Sequence, residues 1–403
     1  MKTKIMTALS VLALASVAAC GSASSSGGES AGSGPIEVAL IPPTSGALAA
    51  YGADEVKGWK LAVKQANADG GIDGRKIKLV TKSTDADPAT TLREARAAAT
   101  KEGAKFIGAV MTSTEHGALN AQLEGLDALS FNSTGKDDAL VGKQCSPNAF
   151  HVVQTNGMDV AGLAKSLADI PGSKWAVQAV DYVTGHTAAA AFKKAAEAAG
   201  KTVVLEQFAP LDSTDFGSSI TKLQKSGADG LFVAEYGADG VAFVKQAEQF
   251  NLDEQFKSVI SFNVVSEPLF PVIGDATKGW YSNVGYDVNN QDKANADFVA
   301  AYTKEYGSKP YYVPADAYLA AETLFAGMKK AGSADPTKVA DALNDLTFDS
   351  IVGEVTMRGA DHQLLRPSYV GQVTGSGDTL AFKILSETAP DVTTPKASSD
   401  CKM

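Results

Sequence analysis

From residue 36 to residue 131 the apolar positions switch repeatedly between the two-residue period of a strand and the 3.6-residue period of a helix. The run at 36–41 predicts a strand, broken by Pro42-Pro43-Thr44-Ser45-Gly46, and Val56, Trp59, Leu61, Val63 and Ala66 then recur at helical spacing over 53–68. After a Gly/Asp turn at 69–74, Ile77 and Leu79 alternate with Lys76 and Lys78 in a second strand. Asp87-Pro88 has the N-cap and first-position chemistry of a helix that ends near Gly103. A buried strand at 106–110, helical character at 118–126 and a strand at 127–131 complete the first cycle.

A second cycle begins near Met158, with strands at 175–180, 202–207, 231–235 and 258–261 and helices between them. Helices at 294–306, 314–331 and 335–345 precede strand-like stretches at 351–357, 369–373 and 380–384. Uninterrupted β/α alternation predicts an α/β protein with parallel sheets covered on both faces, and the repeat predicts two doubly wound lobes. In such sheets ligands bind at the carboxyl ends of the strands. Three strand ends of the first cycle carry small polar residues: Thr44-Ser45 with Tyr51 nearby, Thr112-Ser113-Thr114, and Ser130 with Ser133-Thr134. Free backbone N–H groups, a positive dipole end and hydroxyls together suit a small acceptor such as a carboxylate. Taken alone, Thr112 reads equally as a helix cap.

The chain has 403 residues with a formal net charge of -10 and no basic cluster, which argues against nucleic acid as a partner. Lys2 and Lys4 precede a short apolar run at 5–17 ending in Val17-Ala18-Ala19-Cys20, which resembles a bacterial lipobox, so residues 1–20 are expected to be a lipoprotein signal peptide with Cys20 lipidated; an ordinary secretory cleavage site with an incidental Cys is the alternative. Ser/Gly-rich residues 21–34 form a tether, placing the protein outside the bacterial cytoplasmic membrane, anchored to its outer face or in the periplasm. Cys145 and Cys401 remain, and in an oxidising compartment they are expected to pair and fasten the tail at 389–403 to the body; two free thiols are the alternative.

The text from Ile41-Pro42-Pro43-Thr44-Ser45-Gly46 through Ala50-Tyr51-Gly52, Ala66-Asn67-Ala68-Asp69-Gly70-Gly71-Ile72-Asp73-Gly74-Arg75 and Asp85-Ala86-Asp87-Pro88 resembles the branched-chain amino acid-binding family. The resemblance continues through 106–114, Thr214-Asp215-Phe216 and Thr347-Phe348-Asp349, covering about residues 35 to 385. It implies a type I periplasmic binding protein serving an ABC importer: lobe one at 35–155 plus 285–360, lobe two at 156–284 plus 361–388, joined by a three-strand hinge. A small ligand, an amino acid or small carboxylate, would be captured between the lobes by a monomer and delivered to permease subunits. The resemblance further implies ligand contacts from Thr112 or Ser113, Ser133, Thr134 and Tyr51, facing Tyr182, Thr184, Tyr236 and Asn263. At Asn263 the family's amino-acid binders carry an acid for the ligand ammonium. Either Glu115 or Glu235 supplies that acid, or the ligand lacks an ammonium, as aromatic acids, amides and urea do.

A sensor for a membrane receptor is a second use of the same fold. An enzyme is disfavoured: the only G-x-S-x-G lies in the tether, and Pro42-Pro43 stand where a dinucleotide fold needs glycines. The four histidines show no metal-ligand spacing, so no metal or cofactor is assigned.

Overall fold

The computed structural model describes residues 34–403. The expected signal peptide, Cys20 and the tether up to residue 33 lie outside the described residues. Two sheets are built from fifteen strands among the described residues. Strands β1 (Ile36–Leu40), β2 (Ile77–Thr81), β3 (Phe106–Gly108), β4 (Leu129–Asn132) and β5 (Ala149–His151) run parallel in the order β5-β4-β3-β1-β2. The second sheet contains β6 (Lys174–Val180), β7 (Thr202–Ala209), β8 (Gly230–Ala234), β9 (Ser258–Phe262) and β10 (Tyr281–Val284), again parallel. Late in the chain, β11 (Thr347–Ser350), β12 (Gly353–Arg358) and β13 (Gln363–Leu365) extend the first sheet beside β5. Finally β14 (Ser368–Thr374), antiparallel to β10, and β15 (Ala381–Thr388), antiparallel to β14, close the second sheet.

Both sheets are covered on both faces, which is why their central strands are buried along nearly their whole length rather than at alternate residues. On the first sheet, Trp59 and Leu319 from the helices Ala49–Ala68 and Tyr312–Ala331 pack with Phe106 and Phe131, while Ala95, Ala98 and Leu119 cover Ile107 on the other side. Those two helices approach so closely that a Cβ on Gly58 would stand 2.2 Å from the Pro314 carbonyl oxygen. On the second sheet, Trp175, Phe192 and Phe232 form one core and Phe216, Phe243 and Trp280 the other.

The chain passes between lobes after β5, after β10 and after β13. The last passage moves the expected boundary at 360: β13 pairs with β12 and β5, so residues 363–365 belong to lobe one and the crossing falls at Arg366-Pro367. Arg366 binds the three crossings together. Its guanidinium pairs with buried Asp316 and donates to the carbonyls of Gly285 (2.7 Å) and Val152 (3.4 Å), one on each of the other two crossings.

A fourth link joins the lobes. Helix Pro390–Thr393 lies against helix Asn156–Leu167 of lobe two, after which Arg358 of lobe one donates to the Pro395 carbonyl at 2.7 Å. Cys401 then joins Cys145 of lobe one, with Cα atoms 5.5 Å apart.

Candidate ligand cleft

The carboxyl ends of β4, β6, β8 and β9 converge on a cleft between the lobes, with about 500 Å³ of free space, part of it open to solvent. Seven of the nine residues singled out above line it: Tyr51, Ser133, Thr134, Tyr182, Thr184, Tyr236 and Asn263. Tyr182 and Tyr236 each occupy the N-cap position of a helix, Val183–Ala198 and Gly237–Gln249, without using the side chain as a cap. Their rings are therefore free to project into the cleft.

Thr112 and Ser113 stand behind that surface. Thr112 Oγ1 accepts from the Glu115 N–H at 3.2 Å and the Thr112 N–H donates to Glu115 Oε2 at 2.8 Å, a complete capping box that starts the helix Ser113–Asn120 five residues before the expected one. Ser113 Oγ lies 3.1 Å from Thr184 Oγ1 and accepts from the Asp137 N–H. Glu115 is enclosed by Thr84, Thr91 and Thr112, and Glu235 Oε1 accepts from Gln178 at 2.6 Å. Neither acid lines the cleft. Burial pushes the Glu235 carboxyl up to about 8.

Five lining residues escape the sequence argument: Leu48, Met111, Lys136, Tyr312 and Val313. Lys136 follows the polar end of β4 by one glycine, a signal that was available. Tyr312 joins Tyr51 edge-on, with ring centroids 6.3 Å apart, and Tyr182 and Tyr236 stand 6.4 Å apart on the opposite wall. Four tyrosines thus form a slot, two from each lobe.

The polar end of the cleft is fixed by a chain of hydrogen bonds. Lys136 pairs with Asp159 of lobe two at 2.6 Å, both buried. Asp159 also accepts from Asn283 Nδ2 at 3.2 Å, and an ionised carboxylate can only accept. That fixes the Asn283 amide: its oxygen accepts from the Asn263 N–H at 3.0 Å and its nitrogen donates to Asn263 Oδ1 at 2.9 Å. Asn263 must then present Nδ2 elsewhere, and this nitrogen has no partner among the described residues. The Tyr236 hydroxyl is likewise buried and unpartnered, and burial pushes its pKa well above the usual phenol range. The loop hydroxyls are already engaged: Thr134 Oγ1 donates to the carbonyls of Val110 (3.0 Å) and Met111 (2.8 Å), and Ser133 Oγ shares a hydrogen with Glu55 Oε1.

The lobes are closed over this slot. Across the rim, the Ala47 N–H donates to Asp212 Oδ1 at 2.7 Å, the Ala238 N–H to the Ala47 carbonyl at 3.3 Å, and the Gly237 N–H to the Tyr51 hydroxyl at 3.3 Å.

A two-lobed α/β body with a closing interlobe slot defines a solute-binding protein of the hinged type. Residues 35–378 match the periplasmic binding protein family, and the chain belongs to that family. Among curated relatives, the leucine-, isoleucine-, valine-, threonine- and alanine-binding protein of Pseudomonas aeruginosa is 28% identical over 79% of this chain and 85% of its own length. Among solved structures, a solute-binding protein of an ABC transporter from R. palustris, in complex with 4-hydroxybenzoate, superposes with a TM-score of 0.81 at 25% identity, covering 88% of this chain and 97% of that one. A second from Rhodopseudomonas palustris, in complex with 3,4-dihydroxybenzoic acid, has a TM-score of 0.82 at 23% identity over 88% and 98% of the two chains, and shares the fold.

Proposed function

We propose that this protein is the solute-binding component of an ABC importer and that its ligand is a small carboxylate without an ammonium, with aromatic acids favoured over amino acids. One observation carries the ligand class: the cleft presents unspent donors, Asn263 Nδ2 and the Tyr236 hydroxyl, beside the Lys136 ammonium, and no carboxylate lines it. A buried ligand ammonium would lack an anionic partner there, a cost of several kcal/mol. A carboxylate finds donors, and a flat ring fits among four tyrosines. The transport role is supported by the two R. palustris neighbours, which are transporter components solved with hydroxylated benzoic acids. The amino-acid binder of P. aeruginosa supports the competing choice.

The mechanism is capture and closure. The ligand carboxylate meets Asn263, Tyr236 and Lys136, and the rim contacts at Ala47, Asp212 and Gly237 hold the lobes shut until the loaded protein docks on its permease. Export as a lipoprotein anchored at Cys20, with Cys145 and Cys401 bonded, belongs to the same proposal; no catalytic role is part of it.

A thermal-shift screen of benzoate, hydroxybenzoates, short organic acids, amides and the branched-chain amino acids tests the ligand class. A ligand at a hundredfold its Kd adds about 2.7 kcal/mol, a readable shift. The largest shift is expected from an aromatic carboxylate. A largest shift from leucine, isoleucine or valine would overturn the proposal.

A further inference from the structure

Behind Ser133 lies a carboxyl group that the capture scheme does not use. Glu55, on helix Ala49–Ala68, is completely buried; its Oε1 shares one hydrogen with Ser133 Oγ and its Oε2 has no partner. Ser133 itself lines the cleft. We propose that Glu55 is a positioning residue that sets the polarity of the Ser133 hydroxyl, making Ser133 a donor to a bound carboxylate only while Glu55 carries a proton. This inference rests on the carboxylate reading of the cleft.

The argument is one of counting hydrogens. An ionised carboxylate only accepts, so against ionised Glu55 the single Ser133 hydrogen points away from the cleft and lone pairs face the ligand. A ligand carboxylate then meets acceptor against acceptor. When Glu55 is protonated, its O–H donates to Ser133 Oγ and the Ser133 hydrogen turns to the ligand. Thr134 has no such choice, because its partners are the backbone carbonyls of Val110 and Met111, which never donate.

The surroundings favour the protonated state at neutral pH. Burial pushes Glu55 up to about 8, with the Ser133 hydrogen bond opposing and two further acids adding to the rise. Those acids are Asp316, on helix Tyr312–Ala331 and paired with Arg366, and Glu115, on helix Ser113–Asn120 inside its cage of hydroxyls. Binding of an anion below this point keeps the proton where it is. Above it, binding must take up one proton from solvent, so Kd rises with pH.

The test is calorimetric titration of the full chain with benzoate, which stays ionised throughout, between about pH 6.5 and about pH 9.5, in buffers of different ionisation enthalpy. Wild-type Kd is expected to be flat up to about pH 8 and then to rise about tenfold per pH unit, with one proton taken up per ligand bound. In Glu55→Gln the amide N–H donates to Ser133 at every pH, so neutral-pH affinity is kept and the rise disappears. In Ser133→Ala the rise also disappears, at an affinity below that of wild type at neutral pH. If benzoate binds at pH 7 and wild-type Kd stays flat, or Glu55→Gln shows the same rise, the role of Glu55 is overturned while the cleft reading stands. If no carboxylate of the screen binds at pH 7, the cleft reading fails and takes this inference with it.

Discussion

Replacing Arg366 by Met removes a group that touches all three hinge crossings, while its unbranched stem keeps the packing. The main loss falls on Asp316, which is 2% exposed and whose ion-pair partner is Arg366. Even with that cation present, burial holds the Asp316 carboxyl above its ordinary range. Without it, the Asp316 carboxyl rises further in the folded protein, whereas the unfolded chain ionises it above about pH 4. Each pH unit above that point costs at most about 1.4 kcal/mol, an upper bound of about 4 kcal/mol at pH 7 and about 1.5 kcal/mol at pH 5, less the cost that wild type already bears on the same raised carboxyl. The Gly285 carbonyl, bonded at 2.7 Å, loses its donor and adds about 1 kcal/mol at either pH. Urea denaturation of the ligand-free protein, followed by circular dichroism, should show Arg366→Met destabilised by up to about 5 kcal/mol at pH 7 and by less at pH 5. Adding Asp316→Asn should recover most of the pH-dependent part, because an amide needs no proton to be neutral. A loss below about 1 kcal/mol at pH 7, or one equal at both pH values, would refute the assignment of Arg366 as the hinge clamp.

Two further expectations can be checked independently. Gly237 sits at φ +60° on the rim of lobe two, where a Cβ would stand 2.4 Å from the Ala47 carbonyl oxygen of lobe one. Gly237→Ala should therefore block closure, weakening ligand binding at least about tenfold by calorimetry, while ligand-free stability falls by only about 1–2 kcal/mol; wild-type affinity would sink the closure scheme. Intact mass of the exported protein should show an acyl mass that Cys20→Ala abolishes, and a gain of two hydrogens on reduction from Cys145–Cys401. An unmodified mass, or no gain on reduction, removes the corresponding part of the proposal.

The α/β architecture was legible because strand and helix periods alternate cleanly, and the polar strand ends of the first cycle marked the cleft edge. What stayed hidden depends on partners far along the chain. Lys136 is one of 36 cationic residues, and its importance comes from Asp159, Asn283 and Asn263, a chain of hydrogen bonds on the second lobe that it meets from the first. Arg366 is separated by 50 residues from Asp316 and by 214 from Val152, distances no periodicity spans. Thr112 shows the opposite difficulty. Its Thr112-x-x-Glu115 spacing announces a capping box, and the structure spends the hydroxyl there, so a local need used the residue that the family resemblance marked for the ligand.

The tail has a mechanical consequence. Three crossings gathered around Arg366 make an axis, and bodies joined only at an axis can swing freely. The link from Thr393 to Cys401 is attached away from that axis, on lobe two at one end and lobe one at the other. Residues 394–400 fully extended reach roughly 24 Å. With Cys145 and Cys401 bonded as proposed, the swing has a stop, set by the length of a seven-residue strap rather than by the hinge itself, and the width of the open mouth is written into the chain after the last strand.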